Sequence, residues 1–123
     1  MYLRSKLEGV VVSLEEAVPP QVLLPPPVDD TGKIILAAAD LIRKHGWVRG
    51  EYWSARGLCT MGALYWAIKG VMEPVDGDHP AIQRVMRHLG LEYPDHIIMW
   101  NDTRCRDQAQ AIAMLETAAR CVL

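Results

Sequence analysis

The chain has no surplus of positive charge: 13 Lys and Arg side chains face 15 Asp and Glu, for a formal net charge of −2. With so little to neutralise a phosphate backbone, nucleic-acid binding is disfavoured as its main task. No apolar run approaches the roughly 20 residues needed to cross a bilayer, so no membrane role is expected. The opening stretch carries Arg4 and Lys6 ahead of Val10-Val11-Val12, but Glu8, Glu15 and Glu16 interrupt or close that run and no small-residue cleavage site follows. This is not the pattern of a secretory signal. Cysteine is scarce. Cys59, Cys105 and Cys121 are odd in number and irregularly spaced, which argues against a disulfide framework and fits a reducing, cytoplasmic setting. Phosphate-cradling glycine loops, a Gly-x-Ser-x-Gly elbow and the usual zinc pairings of Cys and His are all missing, so neither cofactor nor metal is expected.

What is present is globular. Half of the 123 residues are hydrophobic and 23% are charged, a composition and size that suit one domain able to bury roughly two-thirds of the surface its unfolded chain exposes. The chain divides near residue 29. Before it, Val10 to Leu14 and Val22 to Leu24 are apolar pieces separated by Pro19-Pro20 and closed by Pro25-Pro26-Pro27. Proline removes backbone donors and fixes φ, so residues 1–29 read as an extended, proline-rich arm.

Residues 30–123 read as a mostly α domain, a bundle of about four helices. Asp30 or Thr31 is the expected cap of the first, with Ile34, Ala38, Leu41, Ile42 and His45 on one face and Gly46 as a left-handed stop. Trp47 to Arg56 reads as a loop. The second helix, Leu58 to Lys69, is apolar nearly all round and is expected at the centre. Gly62 within it costs helix propensity, which a closely approaching backbone would explain. The third helix starts at Asp78-His79-Pro80, carries Ile82, Val85, Met86 and Leu89 as its stripe and stops at Gly90. Tyr93 to Trp100 admits either a helical turn capped by Asp95 or a short strand. The last helix starts at Asp107, with Gln110 completing a capping-box spacing.

Three signatures stand out: Gly46-Trp47 with Gly50, Cys59-Thr60-Met61-Gly62-Ala63, and Trp100-Asn101-Asp102. On them the chain resembles an uncharacterised family of small helical proteins from actinobacteria and their tailed phages. The resemblance spans roughly residues 31 to 120 and leaves out the arm. It departs from the family pattern at Val48, where a cysteine commonly follows Gly-Trp, and at Asp107, where threonine or serine is usual. It implies a helical fold and a phage or actinobacterial origin, and it carries no reaction.

Cys59, near a helix start, could be an activated thiol, but no neighbouring base is indicated and a buried apolar role is favoured. Arg84, Arg87 and His88 make one weak basic face, the place for a weaker, DNA-binding alternative. Trp100-Asn101-Asp102 is favoured as a turn-shaping element. Its functional alternative is a small-molecule or catalytic cleft lined by Trp47, Trp53 and Trp100, with Asn101 and Asp102 as polar anchors. The leading expectation is a non-enzymatic interaction protein, a phage accessory factor binding a host or phage protein. Val10, Val11, Val12, Val22, Leu23 and Leu24 of the arm would make the contact. The same arm suits a homodimer equally well.

Overall fold

The computed structural model describes residues 28–121; the arm residues Val10 to Val12 and Val22 to Leu24 lie outside that range. Helix α1 spans Asp30–His45. Its cap is Asp29, one residue ahead of the expected Asp30 or Thr31, with Oδ1 accepting from the Gly32 backbone N–H at 2.8 Å. A residue far along the chain accounts for that choice. Arg84, on α3 (Pro80–Leu89), donates to both carboxylate oxygens of Asp29, at 2.7 and 2.6 Å, and to the Ala119 carbonyl at 3.2 Å. One guanidinium thus ties the start of α1 to the end of α5 (Gln108–Ala119).

The Arg84 hydrogen bonds, with help from the Gly32 N–H, hold the Asp29 carboxyl down at about 2 against an ordinary 3.8. A depressed carboxyl stabilises the fold above its unfolded value and stops doing so once it is protonated. In Asp29→Asn the cap is retained but the charge is gone. The stability gap between the two proteins in urea unfolding is therefore expected to be constant above about pH 4 and to close as pH falls toward about 2. A gap that persists below pH 2 would mean the carboxylate charge is not its source.

The buried face of α1 is Gly32, Ile35, Ala38, Ala39 and Ile42, while Ile34 and Leu41 are only half-buried. Small residues dominate it because α5 lies very close. A Cβ at Gly32 would stand 2.3 Å from the Ala119 carbonyl oxygen. Helix α1 packs on both α5 and α2 (Thr60–Lys69) and is the centre of the bundle. The expectation that the second helix takes that place is corrected. Thr60 to Tyr65 of α2 are buried, but its second half is only partly covered.

The predicted loop after α1 is more ordered than expected. Gly46 has φ 96° and ψ 176°, which sends the chain into extended backbone instead of a left-handed cap. Strands β1 (Trp53–Ser54) and β2 (Gly57–Leu58) pair antiparallel, with Trp53 opposite Leu58, and Trp47 bridges to Leu58 in parallel. The two backbones meet at glycines: a Cβ at Gly57 would fall 2.3 Å from the Gly46 carbonyl carbon.

Several end signals act as local chemistry predicts. His79 caps α3 through Nδ1, with Pro80 in the first turn, and Gly70 and Gly90 close α2 and α3 in the left-handed region. Asp107 caps α5, accepting from Gln110 N–H at 2.8 Å. Gln110 returns its side chain to the N–H of Arg106 instead of Asp107, so the capping box is displaced by one residue. Of the two readings of Tyr93 to Trp100, the helix holds: α4 spans Asp95–Met99, capped by no side chain, and runs into a π-helical turn over Trp100–Arg104. The fold is thus mostly helical, with five α-helices among the described residues, none long and apolar enough to cross a membrane.

Candidate functional site

The three signatures, scattered along the chain, meet at one point. The π turn places Asn101 there, fully buried, with the Cys105 N–H bonding back to the Trp100 carbonyl at 2.8 Å. The Asn101 Oδ1 accepts from Trp47 Nε1 at 2.7 Å, from the Thr60 backbone N–H at 2.9 Å and from Thr60 Oγ1 at 2.7 Å. Its Nδ2 donates to the Val48 carbonyl and to Asp102 Oδ1, both at 3.0 Å. The indole and peptide N–H groups can only donate and the Val48 carbonyl can only accept, so the amide has one satisfying orientation. Asp102 Oδ1 also accepts from the Gly50 N–H at 3.0 Å. Arg49, lying over the Trp47 ring at 5.0 Å, donates to the carbonyls of Cys105 and Arg106. The knot therefore joins the chain leaving α1, the start of α2 and the π turn.

Asn101 has both ends of its amide occupied by protein, and no side-chain atom of it faces an open cleft. Of the five residues proposed as a common ligand cleft, Trp47, Asn101 and Asp102 meet in the knot, while Trp53 and Trp100 line other hollows. Trp47 and Asn101 are bonded to each other, and Asp102 sits beside a small depression with Gly50, Glu51, Tyr52, Cys59 and Ile98. Trp100 is buried to 7% and floors a separate hollow with Leu91, His96 and Met99. Trp53 is 60% exposed and lines neither of these hollows.

Cys59 shows two opposing influences. It is the N-cap of α2, and its Sγ accepts from the Gly62 N–H at 3.2 Å, which favours a thiolate. It is also 2% exposed, and burial wins, pushing the thiol up with Asp102 adding to the effect. Burial likewise raises Cys105. Neither is poised as a nucleophile at neutral pH. The basic face assumed on the third helix loses a member, since Arg84 is buried in its pairing with Asp29. Among the described residues no three His, Cys, Asp or Glu side chains gather as a metal site.

The surface feature that sequence periodicity missed surrounds Trp53. Trp53, Trp66, Gly70, Val71 and Met72 line a groove of about 340 Å³. On its other side, Tyr52, Trp53, Tyr65, Met72 and Pro74 line a second of about 190 Å³. Val71 is 51% exposed and Tyr52 44%. Burial, with Tyr52 beside it, pushes the Tyr65 hydroxyl up to about 12. His45, at the far end of α1, stacks on Trp66 with ring centroids 4.9 Å apart. The clue available in sequence was the aromatic density of Trp47 to Trp53; which of those rings would be left outside was not written there.

No curated protein and no solved structure matches the chain. A family model covering residues 26–120 does match, and the chain belongs to the family of unknown function DUF6197.

Proposed function

We propose that this protein is a non-enzymatic interaction protein that receives an apolar segment of a protein partner on the face around Trp53. The observation that carries the reading is Trp53 itself, a large ring left 60% exposed on a strand edge between two apolar grooves. Tryptophan, tyrosine and methionine are the residue types enriched in protein interfaces, and anchors of this kind supply most of the binding energy. The main groove is walled by Trp, Gly, Val and Met, with no acid, base or nucleophile for chemistry. The buried, saturated Asn101 and the raised Cys59 supply none nearby. The resemblance to proteins of actinobacteria and their tailed phages makes a host or phage protein the first partner class to test.

The test is a peptide-library selection against the full chain, counter-selected with Trp53→Ser/Val71→Ser. Enriched peptides with apolar anchors should bind the wild type, and the double variant about 30-fold more weakly, with its melting temperature unchanged. Equal binding to both, or no enrichment, overturns the reading.

A further inference from the structure

We propose that the hollow beside α4 and the π turn is a small-molecule site for a monocyclic aromatic carboxylate, held by Arg104 and His96 against Trp100. It lies apart from the Trp53 grooves and does not depend on the reading of that face. Sequence spacing builds it. His96, Met99, Trp100, Thr103 and Arg104 stand at i, i+3, i+4, i+7 and i+8, the spacing of one helix face. Helix α4 runs directly into the π turn, so that face continues unbroken from His96 to Arg104. The same turn that buries Asn101 in the knot leaves Thr103 and Arg104 exposed. Leu91, in the chain between α3 and α4, completes a hollow of about 170 Å³.

The lining divides by chemistry. Leu91, Met99 and Trp100 give it an apolar wall. Trp100, at 7% exposed, is a packed floor. Met99, 59% exposed, is free to close over a bound ring, and a thioether packs well on an aromatic. The polar groups are donors. Arg104 is cationic at any ordinary pH, and His96 offers at least one N–H in either protonation state. Arg43, Arg49, Arg56 and Arg84 are each tied to a protein acceptor. The side chains of Arg104 and His96 have no hydrogen-bond or ion-pair partner among the described residues. Thr103 Oγ1 already donates to the Met99 carbonyl at 2.6 Å, so Arg104 and His96 are the donors left for a ligand. No lining residue is acidic. Tyr93 meets the His96 ring at 81° with centroids 5.3 Å apart, which sets the imidazole beside the hollow.

Those features select the ligand class. An unpaired cation and a second donor beside an apolar wall call for an anion joined to an apolar body. The guanidinium fork matches a carboxylate, taking both of its oxygens at once. Size sets the body, since an apolar cavity of about 150 Å³ holds one benzene ring. A hollow of about 170 Å³ therefore takes one ring and excludes a fused pair or a nucleotide. The ring lies against Trp100 and the Met99 sulfur, with its carboxylate toward Arg104 and His96.

The experiment titrates the full chain with benzoate, followed by NMR at the Met99 methyl and the Trp100 indole N–H. Benzamide, with the ring but no charge, and acetate, with the charge but no ring, are titrated in parallel. A ligand this small should bind with a Kd of about 1 mM. Benzamide and acetate should each bind about tenfold more weakly, and the Trp53 and Met72 signals should stay in place. Arg104→Gln should weaken benzoate about tenfold and leave benzamide unchanged. Arg106→Gln removes an exposed cation outside the hollow and should match the wild type.

No saturable shift at Met99 and Trp100 overturns the proposal. Benzamide binding as tightly as benzoate overturns the carboxylate assignment, and this comparison needs only the wild type. Equal benzoate affinity in wild type and Arg104→Gln overturns the role of Arg104. An equal loss in Arg106→Gln reports net charge alone and overturns it likewise. Shifts that saturate at Trp53 and Met72 in place of Met99 and Trp100 put the ligand on the other face and also overturn it.

Discussion

Asn101→Ala is expected to destabilise the fold by about 3–5 kcal/mol, a large share of the roughly 5–15 kcal/mol that holds a domain of this size together. The substitution removes the shared acceptor of the Trp47 indole N–H and the Thr60 N–H, and the donor to the Val48 carbonyl. Each buried polar group left alone costs about 1–3 kcal/mol, and the losses do not simply add. Urea unfolding followed by tryptophan fluorescence measures it. Asn101→Asp separates shape from chemistry. Its carboxylate could still accept from Trp47 and Thr60 but would face the Val48 carbonyl and Asp102 Oδ1, which offer no proton. Burial and the neighbouring charge raise such a carboxyl above the ordinary range. The penalty is therefore small in acid, where the group is neutral, and grows as pH rises past about 4. An Asn101→Ala protein that unfolds like the wild type would show that the knot is not what joins α1, α2 and the π turn.

Gly62→Ala is expected to reverse the usual sign of a glycine-to-alanine change in a helix. Propensity alone favours alanine by about 1 kcal/mol. Here the added Cβ would stand 2.2 Å from the Tyr52 carbonyl oxygen and 3.0 Å from its carbon. That obstacle is backbone and is itself pinned, since the same oxygen accepts from the Cys59 N–H at 2.9 Å. Either α2 or the strand approaching it must move, for a net loss of about 2 kcal/mol or more. Because Tyr52 and Trp53 carry the apolar face, the variant should also bind a selected peptide more weakly. Gly70→Ala is the control. Gly70 has φ 78° and open space around it, so only left-handed strain of about 1 kcal/mol is expected. Thermal melts of the two variants rank the effects, and a Gly62→Ala protein more stable than the wild type would disprove the close approach.

The features that could be read in advance are those governed by a few consecutive residues. Gly70 and Gly90 stop their helices, His79-Pro80 and Asp107 start theirs, and the close contact at Gly62 is the one its helix-breaking cost called for. Each depends on hydrogen bonds that close within a turn or on the absence of one Cβ, so four residues of context suffice. The helical stripes were legible too, but with a rotation error on α1, where Ile35 and Ala39 are buried and Ile34 and Leu41 are half outside. Periodicity marks a face to within about one residue; the partner helix selects the rest.

Local chemistry thus determined that the chain is mostly helical, where most of its helices stop and start, and which short signatures set it apart. Long-range contacts did the remainder. That Asp29, not Asp30, caps α1 follows from Arg84, 55 positions away. That α1 is the centre follows from how closely Gly32 and the alanines let α5 approach. That Trp47, Thr60 and Asn101 form one knot follows from separations of 54 and 41 residues. Trp53 and Trp100 are the same residue type, yet one is 60% exposed and the other 7%. Burial is a property of what folds over a side chain, and nothing in the residue or its immediate neighbours specifies that cover.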